Sequence, residues 1–285
     1  EAEYILARTT IEGNKLKISF ESGRTYSRLR IAAMPEATLT VSTEDFTPAG
    51  ANNSSPESGE VPQAEWSVTY TLTTDDNGNA FLYGVFAEGA TVSVKQGNIT
   101  LKDYTFTAEK NPNGTVHNKS YALDARPVID GTLGGKTEAT EDDITALVEQ
   151  LKEYVDNGIT TIIVPGSEPA LIEMDSWTNT AIGEAIYRLS GSDDYDENNP
   201  YNGKIDLILQ DVTEIVDQEF YSAWALNSIT LPKVIKIGDE AFHRTWFLKT
   251  ITFESVLTEV NETGGVRFAE VGKELDRCNL FINCG

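Results

Sequence analysis

One stretch of the chain repeats itself at a fixed distance, and this repetition constrains the fold more than any other feature. Val212-Thr-Glu-Ile215-Val-Asp-Gln-Glu-Phe220 and Val234-Ile-Lys-Ile237-Gly-Asp-Glu-Ala-Phe242 align at a shift of 22 residues. The register continues through Trp224/Trp246, Leu226/Leu248, Ile229/Ile251 and Leu231/Phe253, so seven apolar positions keep step. A period of this length marks a stacked supersecondary unit, in which each copy buries its apolar face against its neighbours. Weaker copies flank the pair: Ile182-Gly-Glu-Ala-Ile-Tyr187 has the spacing of Ile215 to Phe220, and Leu207/Leu209 stand 22 residues before Ile229/Leu231. Ile162-Ile-Val164-Pro165 is similar to Ile229-Thr-Leu231-Pro232, and Leu280 with Ile282 end the series. The expectation is a short solenoid of about five parallel rungs.

In each rung a short strand should point alternate residues inward, such as Ile229 and Leu231, while Phe220 and Leu226 fill the return path. Residues Thr140 to Val155 read as an amphipathic helix, with Ile144, Leu147, Val148, Leu151 and Val155 on one face. Thr140 with Asp143 suits a capping box and Gly158 a stop, so this helix is expected to cover the N-terminal end of the stack.

The first 125 residues read differently, with many short alternating strands and no helical pattern. The expected strands are Lys15 to Phe20, Ser27 to Ala32, Thr38 to Ser42, Ser67 to Thr73, Ala80 to Val85, Thr91 to Lys95 and Tyr104 to Ala108. Asp76-Asn77-Gly78-Asn79 suits a hairpin turn, and Ala49 to Gln63 a long loop. Such punctuation indicates an all-β sandwich. The expected organisation is a sandwich over 1–125, a linker over 126–139 with Pro127 and three glycines, and the capping helix plus repeats over 140–285.

These residues carry two family resemblances. Ile237-Gly-Asp-Glu-Ala-Phe242, then Leu248, Ile251 and Phe253, resembles the BspA-like leucine-rich repeat, as does the ending Ile229-Thr-Leu231-Pro232. Ala223 and Thr245 stand where that family commonly has Cys. The N-terminal half is similar to a fimbrillin-type domain in Tyr26-Ser-Arg-Leu-Arg-Ile31, in Trp66 to Leu72 leading to Asp76-Asn-Gly78, and in Gly114 to Leu123. Asn118-Lys-Ser-Tyr121 partly matches the Gly-Lys-x-Tyr that opens that family's last strand. Together they imply a transthyretin-like or Ig-like sandwich followed by a short α/β leucine-rich-repeat solenoid. They also imply an extracellular or outer-membrane surface protein of gut or oral bacteria, in some cases a lipoprotein. The implied role is cell adhesion, with a fimbrial component as the alternative and a glycan hydrolase as the remote one.

Charge narrows the partners. With 22 Lys and Arg against 45 Asp and Glu, the net charge is −23, which repels phosphate backbones and anionic lipid headgroups. The expected partner is a host or matrix protein or a glycan, without nucleic acid and without direct membrane insertion. Glu1 to Leu6 has neither a basic region nor a hydrophobic run, so a signal peptide is expected to be absent or removed.

No catalytic constellation or cofactor motif stands out, and the expectation is a binding module without a cofactor or a bound metal. His117 and His243 fall in different halves without nearby metal-binding partners. Cys278 and Cys284 lie six apart, about 20 Å along a strand, too far for a disulfide. Asp194-Tyr-Asp196-Glu-Asn198, in the acidic insertion 190–203, begins like a calcium loop, but Asn199 and Ile205 stand where Gly and Glu are needed. The repeats instead suggest a ligand-binding surface: Asp206, Ser228 and Thr250 as one outward row, Ile208, Thr230 and Thr252 as another. Trp224 and Trp246 at matched positions are either half-buried stacking residues or an aromatic contact site.

Overall fold

The computed structural model describes residues 5–12, 15–25, 27–48, 67–106, 120–167, 169–173, 178–191, 195–255, 259–260 and 281–284. The chain divides into two compact units, Glu1–Arg126 and Pro127–Gly285.

In the first unit β1 (Ile5–Glu12) and β2 (Lys15–Thr25) pair antiparallel. A six-stranded sheet follows from β3 (Ser27–Ala32), β4 (Thr38–Pro48), β5 (Val68–Thr73), β6 (Asn79–Gln96), β7 (Ile99–Thr105) and β8 (Ser120–Asp124). Its order is β5-β4-β6-β3-β8, with β7 also on β6, and β3 and β8 run parallel. A turn forms at Asp76–Gly78, where Asp75 Oδ1 accepts from Asn77 N at 3.0 Å and Asn79 N at 2.8 Å, but the expected hairpin does not, because β4 lies between β5 and β6. Gly78 there has φ +74°, and a Cβ would stand 2.3 Å from Ala33 O. Alternation places Leu29, Ile31, Leu39, Val41, Val92 and Val94 in the core, where Phe86 stacks on Phe106 at 4.1 Å between centroids.

This arrangement corrects the expected sandwich of separate sheets. The sheet is one hydrogen-bonded surface of mixed direction, because β6 is a single strand where the sequence suggests two. Asn79–Gly84 of β6 pairs with β3, and Thr91–Gln96 pairs with β7, while β4 pairs with both stretches. The expected strands stop at Val85 and resume at Thr91, yet β6 runs through this stretch, with Gly89 at φ +83°.

The second unit opens with residues 127 to 139, read above as linker, tied to the strands that follow. Ile129 N donates to Ile163 O and Ile163 N to Pro127 O, each at 2.9 Å, and Leu171 N donates to Thr137 O at 3.0 Å. Helix α1 (Glu141–Asp156) starts at a complete capping box between Thr140 and Asp143. It buries Ile144, Leu147, Leu151 and Tyr154. Then come β9 (Thr161–Val164), the antiparallel pair β10 (Leu171–Glu173) and β11 (Thr178–Thr180), and helix α2 (Ala181–Leu189), which packs on α1. Arg188 clamps the helices, reaching Glu184 Oε1 at 2.7 Å and Glu141 Oε2 at 2.5 Å.

Strands β12 (Ile205–Leu209), β14 (Leu226–Leu231), β16 (Thr250–Phe253) and β18 (Phe281–Cys284) complete a five-stranded parallel sheet in the order β18-β16-β14-β12-β9. The short strands β13 (Glu214–Ile215), β15 (Lys236–Ile237) and β17 (Glu259–Val260) form a second parallel sheet. The 22-residue offset is the pairing register here: Leu207 lies beside Ile229, and Ile229 beside Ile251.

The expected leucine-rich-repeat solenoid with a capping helix is nonetheless corrected to an α/β unit with parallel sheets and two helices among the described residues. Its neighbouring strands are not equally spaced. Leu207 pairs with Ile162 across 207 − 162 = 45 residues, and Ile282 with Ile251 across 282 − 251 = 31. The first interval holds β10, β11 and α2 in place of a rung. Ile182 to Tyr187, read as a weak repeat copy, lies in α2, whose N-cap Thr180 accepts from Gly183 N and starts a helix there. Helix α1 accordingly partners α2 and is not the lid of a stack.

Within the repeated part, residues 22 apart bond to each other. Lys233 Nζ meets Asp211 Oδ1 at 2.6 Å, Lys236 pairs with Glu214, and Gln218 Nε2 donates to Glu240 Oε2 at 2.9 Å. Left-handed backbone recurs as well, at Gln218 (φ 58°) and Glu240 (φ 54°), and at Ser222 (φ 52°) and Arg244 (φ 60°).

Phe220 and Phe242 are both fully buried and stack at 5.5 Å. Phe242→Ala is expected to lower unfolding free energy by about 3–5 kcal/mol in denaturant titration, and a loss under about 1 kcal/mol would show that this stack is not the core. Gly238→Ala is expected to destabilise too, by about 1–3 kcal/mol, because a Cβ would stand 2.5 Å from Asp217 N.

Candidate surface on the parallel sheet

Strand periodicity separates two sets of side chains on β12, β14 and β16. Leu207, Leu209, Ile229, Leu231, Ile251 and Phe253 are buried, whereas Asp206, Ile208, Ser228, Thr230, Thr250 and Thr252 remain partly exposed. Register then aligns the second set into two rows across the strands. Asp206 lies beside Ser228 and Ser228 beside Thr250; Ile208 lies beside Thr230 and Thr230 beside Thr252. Adjacent members of a row are about 4.8 Å apart, and the rows run about 6.6 Å from each other. On β9, Thr161 extends the first row, whereas Ile163, in the second, is buried beside the Val128 bridge.

The rows differ chemically. In the first, Asp206 Oδ1 accepts from Ser228 Oγ at 2.6 Å and from Asn227 Nδ2 at 2.7 Å, which fixes the carboxylate. In the second, the hydroxyls of Thr230 and Thr252 have no hydrogen-bond partner among the described residues. They offer donors and acceptors to whatever covers the sheet. Their χ1 angles are already restricted by β-branching, so ordering them on contact costs little entropy.

Trp224 and Trp246 are not part of this surface. They are 0% and 9% exposed and stack on each other at 5.3 Å. Tyr195, from the acidic insertion, packs edge-on against both, at 5.0 and 4.8 Å. The insertion thus contributes a half-buried aromatic that packs on this pair. Asp196 within it accepts from Asn198 N at 2.9 Å as a turn former. Asp194, His117 and Cys278 lie outside the described residues. Among the described residues no group of three His, Cys, Asp or Glu side chains converges as metal ligands, and no helix is long and apolar enough to cross a membrane. His243 stands edge-on to Tyr221 at 5.3 Å, with Nδ1 3.9 Å from Glu240.

A recess beside α1 brings Asp130 and Asp143 together with Val128, Leu133 and Leu147. Both carboxylates are already engaged. Lys136 and Thr140 hold Asp143 down at about 2, and Thr132 leads the hydrogen bonds that lower Asp130. Neither is suited to hold a proton near neutrality.

Sequence reasoning missed Glu219. It is 1% exposed, and burial pushes its carboxyl up to about 7, against the pull of its two hydrogen bonds and with a further push from the charge of Glu214. Thr180 Oγ1 donates to Oε1 at 2.8 Å and Val216 N to Oε2 at 3.0 Å, so this side chain ties the N-cap of α2 to the repeats. A signal was present: Glu219 stands where the next copy has Ala241, one residue before the core Phe. Its partner, 39 residues away, was not legible.

In comparison with known proteins, no family model, no curated protein and no solved structure matches the chain.

The folded pKa of Glu219 lies above its ordinary 4.5, so the native state retains a proton that the unfolded chain releases. This stabilisation is whole below about pH 4.5 and is lost as pH rises through about 7. Glu219→Gln, which mimics the protonated acid, is expected to flatten that loss of a few kcal/mol and to raise Tm at pH 8 relative to the parent. Parallel Tm–pH curves for the two proteins between pH 4.5 and 8 would contradict it.

Proposed function

We propose that this is a binding protein of the bacterial surface or its secreted surroundings, and that it attaches to a host or matrix protein or glycan through the outward rows of the parallel sheet. The observation that carries the reading is the aligned pair Thr230 and Thr252, whose hydroxyls face outward in register without a hydrogen-bond partner among the described residues. A paired sheet has little freedom to deform, so a ligand that matches the row loses less entropy on the protein side than one bound by a loop. The resemblance of residues 237–253 to BspA-like repeats and of the first half to fimbrillin-type domains points to the same kind of role and location. The engaged state of Asp130 and Asp143 supports binding over hydrolysis, because neither is poised as a general acid.

Thr230 is the middle member of its row, so a long charged side chain there obstructs the whole row. Thr230→Lys is expected to reduce attachment of protein-coated beads to epithelial monolayers and mucin coats by at least tenfold, with Tm changed by less than about 3 °C. Thr40→Lys, outward on β4 of the other unit, is the control and should attach as the parent does. Equal attachment by all three proteins would remove the sheet face from the reading.

A further inference from the structure

Helix α2 is fastened to the repeated part at both ends, and the two fastenings differ in chemistry. At the C-terminal end the buried Ser190 Oγ accepts from Ala225 N at 2.9 Å and donates to Ile186 O at 2.7 Å. Asn199 Nδ2 adds a bond to Leu189 O at 3.0 Å. Neither of these side chains titrates. At the N-terminal end the fastening is Glu219, whose carboxyl joins Thr180 Oγ1 on the helix side to Val216 N on the repeat side. The approach is close: a Cβ on Gly183 would stand 2.5 Å from Glu219 O and 2.9 Å from its Cγ.

Glu219 has no counter-charge. The elements around it carry further acids: Glu184 on α2, Glu214 on β13, Asp217 and Asp239 in the turns, and Glu240 in the next copy. The bases there are engaged elsewhere. Arg188 holds Glu184 and Glu141, Lys236 holds Glu214, and His243 Nδ1 stands 3.9 Å from Glu240. Among the described residues no cation pairs with Glu219. A carboxyl buried in this way is stable while it keeps its proton. As an acid it serves both sides. One oxygen accepts from Val216 N, and the O–H shares the other contact with the Thr180 hydroxyl, which accepts as well as donates. Ionised, it gains by reaching water, and parting Thr180 from the turn lets water in.

We propose that Glu219 is a proton-operated latch: protonated, it holds β11 and the N-terminal end of α2 against the repeats, and ionised, it lets that end open while the Ser190 end stays fixed. The opening is local, because Ala185, Ile186, Tyr187 and Leu189 are buried and lifting the whole helix would expose them. It uncovers Asn179 and Thr180, which are 3% and 1% exposed when closed. By linkage, the closed form keeps its proton up to about pH 7, whereas the open form, with a solvated carboxyl, keeps it only to about 4.5. Opening is therefore rarest below pH 4.5, grows up to about tenfold per pH unit between those values, and levels off above about 7. The latch is a device of the fold and stands apart from the sheet rows proposed above as the binding surface.

Hydrogen exchange of the full chain, read by mass spectrometry between pH 4.5 and 7.5 and corrected for the intrinsic pH dependence of exchange, tests the latch. Peptides covering 178–184 are expected to open at least tenfold more often at pH 7.5 than at 4.5. At pH 7.5 they should also open at least tenfold more often than peptides covering 226–231, which report global unfolding. Glu219→Gln keeps both contacts and cannot ionise, so its 178–184 exchange is expected to be level across the range. Where that variant does not fold, the parent decides: exchange of 178–184 must stop rising where the Glu219 carboxyl titrates by carbon-13 NMR. The proposal is overturned if 178–184 opens no more at pH 7.5 than at 4.5, or if it opens only together with 226–231. It is equally overturned if Glu219→Gln keeps the parent's pH dependence, or if exchange in the parent goes on rising past the titration of Glu219.

Discussion

Parallel pairing of β12, β14 and β16 at one constant offset is the constraint on which the second unit depends. Once Ile229 lies between Leu207 and Ile251, every other residue of the copy is placed as well, because a strand's side-chain period is two and a slip of one would expose the core set. Equivalent positions then stand directly beside one another. At three such positions the sequence exchanges sign or type: Asp211 faces Lys233, Glu214 faces Lys236, and Gln218 faces Glu240. Asp217 and Asp239 repeat the same charge, and there the Asp239 N–H donates to Asp217 Oδ1 at 2.7 Å. The exchanged pairs are largely exposed and add little stability each, so their main effect is to disfavour other registers. Where the surface rows carry hydroxyls no such exchange is needed, and Thr can stand beside Thr.

The same offset makes the departures from repetition informative. Glu219 replaces the apolar residue that the next copy has, and it accepts hydrogen bonds from α2's N-cap and from Val216. The irregular first interval and the regular part are thus joined through a buried carboxyl. An isolated buried charge is far costlier than a buried hydrogen-bonded acid, which is why protonation is favoured at this position. Trp224 shows a related compromise. Its ring stacks on Trp246, but Nε1 is buried without a hydrogen-bond partner among the described residues, so packing outweighs a donor left unmade.

Legibility in the sequence followed the range of the interactions. Helix α1 is written locally, in Thr140, Asp143 and the spacing of Ile144, Leu147 and Leu151, and it forms there with Tyr154 taking the buried position read for Val155. The pairing of the copies was legible because the same pattern occurs twice. Two things were not. The stretch between Val85 and Thr91 lies outside the expected strands, but long-range pairing of β6 with β4 on either side keeps the strand whole and replaces a two-sheet sandwich by one sheet. Ile182 to Tyr187 shares the apolar spacing of a repeat, yet local capping by Thr180 makes it helical, so apolar spacing alone could not separate rung from helix. Of the candidate site, alternation located the outward rows by residue number, whereas the burial of both tryptophans depends on Tyr195, which nothing in their own spacing announces.

The outward rows of the parallel sheet set what a partner there would have to supply. Hydroxyl rows on the parallel sheet have no net charge of their own beyond Asp206, whose carboxylate is engaged by Ser228 and Asn227. A ligand there gains by shape and by neutral hydrogen bonds, worth about 0.5–1.5 kcal/mol each, so affinity must come from extent.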